Sequence, residues 1–135
     1  MAKNRLHVEY NFDFLLLAIN SNVKAYKLAW SINKDLNLDL TKEENIEIGF
    51  KGDKSLSVQN FMDKNEFRTI RLLKNRADGN EDSLAYLLPE LKNFDYFITL
   101  ENESNTLDEN IFIRGLKEIP FVQFTTKIDL QTLKS

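Results

Sequence analysis

Apolar and polar side chains alternate along most of this chain, and only two segments replace that alternation with helical spacing. Alternation places successive side chains on opposite faces of a strand, so these segments predict strands with one buried face. The first helical segment carries an apolar stripe formed by Ala25, Leu28, Ala29, Ile32 and Leu36. The second carries one formed by Phe112, Leu116 and Ile119. Such a pattern restricts the chain to a sheet on which a few helices pack.

The alternating segments predict strands over 6–19, 46–50, 56–62, 67–76, 84–88, 94–101 and 122–128. In the first of these, an unbroken apolar run from Phe14 to Ile19 follows the alternation, which is typical of a strand covered on both faces. Polar and glycine-containing turns at 51–54 and 77–80 predict two hairpins. The sheet should therefore be mainly antiparallel.

Helix limits follow from capping signals. The Asn20-Ser21-Asn22 run supplies candidate N-caps, so the first helix should begin near residue 22 and end near Asn37. Thr106 and Glu109 form a capping-box pattern that predicts the start of the second helix, and Pro120 should end it. The order is then β-α-β-β-β-β-β-α-β, an α+β fold with two helices packed on one face. If the central hairpins are an insertion, the remainder follows the β-α-β-β-α-β order of a ferredoxin-like sandwich.

Composition indicates one globular domain over 1–135, with 42% hydrophobic and 29% charged residues. The chain has no cysteine, which excludes disulfides, thiolate nucleophiles and zinc-thiolate sites and favours a reducing compartment. The start, Met1 to Arg5, leads into an alternating strand pattern, and the run from Phe14 to Ile19 is too short to span a bilayer. We expect a cytoplasmic protein without a membrane partner or a cofactor.

Charge is unevenly distributed although the net charge is only −3. Basic residues predominate over 51–76 and acidic residues over 77–111. A candidate nucleic-acid surface in the basic region consists of Arg68, Arg71, Lys74 and Arg76, with Phe67 available for stacking. The alternative is a solvated surface with a local excess of charge, and the acidity of the whole chain favours that alternative.

One motif stands between two apolar runs, Leu88-Pro89-Glu90-Leu91-Lys92-Asn93-Phe94-Asp95-Tyr96, and we call it the signature segment. It resembles the signature of the IPExxxVDY family of small bacterial proteins, with Pro89, Glu90, Asp95 and Tyr96 matching. Leu88 stands in place of isoleucine and Phe94 in place of valine. The run 26–34 also resembles the early helix of that family. The resemblance implies membership of a family without an established activity.

Local structure can account for the signature segment. Pro89 suits the first position of a short helical turn, and Glu90 suits its positively polarised first turn. Asn93 could leave the turn in a left-handed conformation, and Phe94 and Tyr96 would then enter the core. Asp95 would cap the turn or pair with a base. The functional alternative makes Glu90 and Asp95 a carboxylate pair, with Tyr96 as a proton donor.

Other chemical signals are weak. His7, the only histidine, lies on the polar side of the first alternating segment without a neighbouring ligand. Glu101, Glu103 and Asp108 could offer oxygen ligands to Mg²⁺ or Ca²⁺, but their spacing matches no known site, and we predict no metal. The four glycines form no phosphate-binding loop.

The first helix has a second apolar side. Val23, Tyr26 and Trp30 lie on a flank opposite the Leu28 and Ile32 stripe. Another part of the chain could cover this flank; if uncovered, it has the composition of a protein interface. Our leading hypothesis is a noncatalytic domain that acts through protein contacts, as a homodimer or an adaptor. The alternatives are single-stranded nucleic-acid binding and a small enzyme using Glu90 and Asp95; no small-molecule ligand is identified.

Overall fold

The computed structural model describes residues 14–49, 55–76, 86–102 and 107–132. In these ranges the chain forms, in order, β1 (Leu15–Asn20), α1 (Ala25–Leu36), β2 (Thr41–Gly49), β3 (Ser55–Lys64), β4 (Arg68–Lys74), β5 (Tyr96–Asn102), α2 (Glu109–Lys117) and β6 (Phe124–Ile128). Short 3-10 helices occupy Pro89–Leu91 and Leu130–Thr132.

The strands form one antiparallel sheet in the order β2-β3-β4-β5-β1-β6. β5 lies between β1 and β4 and is antiparallel to both, so β1 and β4 run in the same direction. β1 lies in the same way between β5 and β6. Each helix thus belongs to a split β-α-β unit, and the β2–β3 hairpin is inserted between α1 and β4. The α+β class is confirmed, and without that hairpin the element order is β-α-β-β-α-β.

Both helices pack on the same face of the sheet, where the main core lies. The two predicted helical stripes are buried there except for Leu36, which is partly buried, and Leu28, Ile32 and Leu116 are fully shielded from solvent. They meet the strand residues Leu15, Leu17, Ile19, Ile70, Leu72, Tyr96, Ile98 and Leu100. Burial of each large aliphatic side chain stabilises the fold by roughly 1.5–3 kcal/mol. We call this cluster the helix-side core.

A smaller apolar cluster covers the opposite face of the sheet. Leu16 and Ala18 of β1 and Phe97 of β5 are buried there. Partly buried apolar residues pack against these three. They come from the residue before β1, from the signature segment and the residue before it, and from the last described residues of the chain: Phe14, Leu87, Leu88, Leu91, Phe94, Ile128 and Leu130. β1 is therefore buried on both faces, as its unbroken apolar run predicts.

Two of the predicted strand segments lie partly outside the described residues. Residues 6–13 of the first segment are outside them, so only 15–20 can be assigned to β1. Residues 77–85, which include the second predicted hairpin turn, are also outside. Of the predicted strand over 84–88, the described part contains a single bridge between Arg76 and Tyr86. The described ranges therefore contain one strand fewer than predicted.

Strand details differ at both edges of the sheet. β2 begins at Thr41, five residues before the predicted start, with exposed polar residues and a register shift between Glu43 and Ile46. Phe124 was predicted to face inward with Val122, but it is 53% exposed. The pairing of Ile19 with Thr125 puts Thr125 on the helix-side face instead, and Phe124 packs outside the core.

The helix caps also differ from the predicted ones. Lys24 is the N-cap of α1 and makes no side-chain cap hydrogen bond, whereas Ser21 Oγ accepts a bond from the Val23 N–H. Asp108 is the N-cap of α2 and accepts bonds from the N–H groups of residues 110 and 111, so α2 begins later than the predicted capping box, whose Thr106 lies outside the described residues. The predicted helix ends agree with the structure. Asn37, at φ 57°, is the C-cap of α1, and α2 ends before Pro120.

The two helices in the described part of the chain are also too short and too polar to cross a membrane.

Candidate functional site

The signature segment begins as a proline-started turn. Leu88 is extended and serves as N-cap, Pro89 starts the 3-10 helix, and Glu90 lies in its first turn. Both Pro89 and Glu90 are exposed, and the turn closes with a hydrogen bond from the Lys92 N–H to the Pro89 carbonyl. These two residues therefore take the local structural roles that the sequence predicts.

Asn75, which the sequence analysis did not single out, holds this turn to the sheet. Its side chain is fully buried, and its Nδ2 donates hydrogen bonds to the carbonyls of Leu91 and Phe94 at 3.1 and 3.0 Å. Its Oδ1 accepts a bond from the Leu88 N–H at 2.9 Å. Its backbone bonds Leu87 and Asp95 as well. The one available signal was an asparagine in a strand-like run, where this residue type is disfavoured.

The chain leaves the turn differently from the prediction. In the described part of the chain, Asn37 is the only non-glycine residue with a positive φ. The prediction that Asn93 adopts a left-handed conformation is therefore wrong. Phe94 does not share the buried side of Tyr96. It packs on the opposite face of the sheet and stacks on Phe124, with ring centroids 6.3 Å apart.

Asp95 and Tyr96 join the signature segment to the loop between β1 and α1. Asp95 Oδ2 accepts a hydrogen bond from the Ser21 N–H at 2.8 Å, rather than capping its own turn or pairing with a base. The buried Tyr96 donates its hydroxyl proton to the Val23 carbonyl at 2.7 Å. Burial, and then the nearby charge of Asp95, raise the pKa of Tyr96 to about 12. The hydroxyl is protonated at neutral pH with its proton directed at Val23, an arrangement that does not suit a proton donor to substrate.

A cleft of about 420 Å³ opens between the loop 21–24 and the signature segment. It lies at the end of the central strands of the sheet, where β1 and β4 end and β5 begins. Its lining includes Asp95, the aromatic residues Tyr86, Phe94 and Tyr96, and four basic residues, Lys24, Lys74, Arg76 and Lys92. We call it the basic cleft.

The proposed carboxylate pair does not converge on this cleft. Asp95 lines it, but Glu90 is exposed on the 3-10 helix and does not belong to the lining. Paired acid and base catalysis requires both groups within reach of one substrate. The geometry therefore gives the enzyme hypothesis no support from Glu90.

Two of the three residues predicted to form an interface on α1 are exposed on the same flank of the helix, and the third, Val23, is not. Tyr26 and Trp30 are 66% and 58% exposed. Val23 precedes the helix, is partly buried against the helix-side core and lines the basic cleft instead. Lys34 Nζ lies 5.1 Å from the centroid of the Trp30 ring. We define the outer face of α1 as Tyr26, Lys27, Trp30 and Lys34.

The basic residues of the nucleic-acid hypothesis do not form one surface. Arg68 lies on the helix-side face of β4 and is paired with Asp63, with Nη2 and Oδ2 3.4 Å apart. Arg71, three residues later, lies on the other face. Lys74 and Arg76 lie at the far end of the strand, about 20 Å from Arg68 at the usual rise per residue, and line the basic cleft. Phe67 is 46% exposed beside Arg68, away from that end.

The described residues contain no group of three acidic or histidine side chains that could hold a metal ion. Asp108 instead caps α2, and Glu101 is exposed on β5. His7 and Glu103 lie outside the described residues.

No family model matches the chain, and neither a curated protein nor a solved structure matches it. The resemblance of the signature segment to the IPExxxVDY family therefore stays a prediction.

Proposed function

We propose that this protein is a noncatalytic binding module that docks an acidic surface of another protein on the outer face of α1. The observation that carries the proposal is the two-sided character of the helix. Leu28 and Ile32 are fully buried, while Tyr26 and Trp30 on the other side are more than half exposed. Tyrosine and tryptophan are the residues that most often anchor protein interfaces, because they bury a large area with few rotatable bonds.

Charge on this face indicates the kind of partner. Lys34 lies over the Trp30 ring, and Lys27 Nζ lies 4.6 Å from the centroid of Phe121 next to the helix. A partner that inserts an apolar surface between these lysines would meet positive charge at the rim. Carboxylates at that rim would be favourable and would speed association. The proposed partner therefore carries acidic residues around an apolar pocket.

The same charges argue against a symmetric homodimer through this face. In a two-fold interface each patch meets its own copy, so Lys27 and Lys34 would face the lysines of the second molecule. Like charges placed opposite each other disfavour association. The adaptor form of the hypothesis is therefore the better supported one. We also propose a reducing compartment such as the cytoplasm, because the chain has no cysteine.

The first test is the oligomeric state. Size-exclusion chromatography with light scattering should give a monomer over a wide concentration range. A dimer that Trp30→Ala dissociates would contradict the proposal and assign the face to a second copy of the chain.

The second test separates the anchors from the rest of the surface. Proteins from an extract would be captured with the parent, Trp30→Ala, Lys27→Glu/Lys34→Glu and Ile111→Ala, whose isoleucine is 61% exposed on α2 and serves as the matched control. A partner retained by the parent and Ile111→Ala, and lost by the other two, would then be purified. Direct titration by calorimetry, which can also follow Trp30→Ala although that variant lacks the single tryptophan, should show salt-dependent binding. Binding insensitive to both Trp30→Ala and the charge reversal would overturn the proposal.

A further inference from the structure

Four basic side chains converge on one cleft from separate parts of the chain. Lys24 is the N-cap of α1, Lys74 ends β4, Arg76 follows that strand, and Lys92 follows the 3-10 helix of the signature segment. The described lining contains one carboxylate, that of Asp95, and Lys24, Arg76 and Lys92 alone outnumber it, in a chain whose net charge is −3. A cleft of one sign concentrates ions of the opposite sign.

The carboxylate of Asp95 helps to hold the two sides of the cleft together. Asp95 Oδ2 accepts the Ser21 N–H, and the neighbouring Tyr96 hydroxyl binds the Val23 carbonyl. These two bonds fix the loop that carries Lys24 against the segment that carries Lys92. The last two residues of the signature segment are thus positioning residues that shape a site of positive charge.

The start of α1 adds to the same field. Its N-cap is Lys24, with no side-chain cap and no acidic residue in the first turn, whereas α2 has both Asp108 and Glu109. Helix N-termini carry partial positive charge and favour anions, so a lysine is an unfavourable residue there. An anion in the cleft would offset that cost.

We propose that the basic cleft binds a small phosphomonoester that carries a planar apolar group, such as a nucleoside monophosphate. A doubly charged phosphate matches a surplus of cations, and Arg76 can bind two of its oxygens at once. Tyr86 and Phe94 in the lining provide flat surfaces for the planar part. The volume of about 420 Å³ falls within the range of small-molecule sites. This site is separate from the outer face of α1, so the docking proposal and this one can fail independently.

Calorimetric titration with adenosine 5′-monophosphate, inorganic phosphate and adenosine tests the assignment. The parent should bind the monophosphate, bind phosphate more weakly, and bind adenosine at least about tenfold more weakly than the monophosphate, the loss expected for one charge-assisted hydrogen bond. Adenosine that binds as tightly as the monophosphate would overturn phosphate recognition. Absence of binding by both phosphate probes at millimolar concentration would overturn the site.

Matched variants locate the binding. Lys24→Gln/Arg76→Gln/Lys92→Gln changes three exposed residues of the cleft, and the control Lys64→Gln/Arg114→Gln/Lys117→Gln changes three exposed residues outside it with the same change in charge. The cleft variant should lower monophosphate affinity at least about tenfold, and the control should leave it unchanged. Equal weakening by both would overturn the proposal. If the cleft variant fails to show the melting curve of the parent, Lys92→Gln, with Lys64→Gln as its control, gives the same comparison.

A mixed-sequence single-stranded decamer without a terminal phosphate distinguishes the source of the phosphate. It should bind more weakly than the monophosphate. A decamer that binds more tightly than the monophosphate, and that the cleft variant binds more weakly, would overturn the small-molecule assignment. It would favour nucleic-acid binding in the basic cleft.

Discussion

The signature segment and the outer face of α1 differ in how completely the chain satisfies their side chains. At the signature segment, the buried Asn75 bonds three backbone groups through its side chain, and Asp95 and Tyr96 bond the loop before α1. On α1, Tyr26 and Trp30 are large, apolar and more than half exposed. The first region uses polar groups to build the fold, whereas the second leaves apolar groups exposed to solvent.

This difference changes where function should be sought. A motif recognisable in the sequence invites a catalytic interpretation, yet the hydrogen bonds of its residues explain their types without a substrate. Exposed aromatic side chains have no such internal explanation, because exposure of apolar area to water is unfavourable. Substitutions of the hydrogen-bonding residues that hold the signature segment should therefore lower stability, whereas substitutions of the exposed aromatic residues on the outer face of α1 should not.

The largest expected effect belongs to Asn75→Ala. The substitution removes three side-chain hydrogen bonds and leaves the Leu88 N–H and the carbonyls of Leu91 and Phe94 without that partner. Unsatisfied buried polar groups are costly, and we expect a loss of about 3–5 kcal/mol in the free energy of unfolding. Urea denaturation measures it.

Asn93→Ala is the matched control for this prediction. Asn93 is an exposed asparagine in the same turn, and its loss should change stability by no more than about 0.5 kcal/mol. Similar effects of the two substitutions would show that Asn75 does not hold the turn.

Tyr96→Phe should have a smaller effect. It keeps the buried ring and removes the hydroxyl that donates to the Val23 carbonyl at 2.7 Å. Loss of one such bond should lower the free energy of unfolding by about 1–2 kcal/mol. Tyr26→Phe, at an exposed tyrosine, should leave it nearly unchanged. Equal losses of stability for Tyr96→Phe and Tyr26→Phe would contradict the statement that the signature segment, and not the outer face of α1, is held by internal hydrogen bonds.

The same tyrosine predicts a pH dependence. Burial and the charge of Asp95 raise the pKa of Tyr96 from its ordinary value of 10.0 to about 12. Between these values the unfolded chain loses a proton that the folded chain keeps, so the stabilisation is complete below the lower value and is lost as the pH rises towards the upper one. Denaturation midpoints should therefore fall more steeply over this range in the parent than in Tyr96→Phe. Parallel curves would refute the prediction.

Much of the fold was predictable because burial on one face leaves a period in the sequence. The stripe of Leu28 and Ile32 predicted α1, and the apolar run to Ile19 predicted a strand buried on both faces. The start of β2 was missed because an edge strand with exposed residues at 41–44 has no apolar period to detect. Phe124 was misplaced because an exposed aromatic fits the apolar pattern as well as a buried one does.

The site was less predictable because it depends on contacts between residues far apart in the sequence. Asp95 and Ser21 are 74 positions apart, and no local rule joins them. The sequence singled out Lys74 and Arg76, but as members of a basic strand with Arg68. Only the sheet order and the placement of the signature segment bring them to one cleft with Lys24 and Lys92.

The smallest expected effect on stability is that of Trp30→Ala. The exposed ring contributes a contact with Lys34 at 5.1 Å, worth about 0.5–1 kcal/mol, while alanine is the better helix former by a similar amount. The two terms offset, so the free energy of unfolding should change by no more than about 0.5 kcal/mol. Leu28→Ala, on the buried side of the same helix, should cost about 2–5 kcal/mol.

Fluorescence of the parent tests the exposure directly, since Trp30 is the only tryptophan. The emission should be quenched more by iodide than by caesium, because Lys34 attracts the anion and repels the cation. A stability loss for Trp30→Ala approaching that of Leu28→Ala, or an emission that neither ion quenches, would mean that the chain itself covers this face. The outer face of α1 would then resemble the signature segment, and the partner would have to bind elsewhere.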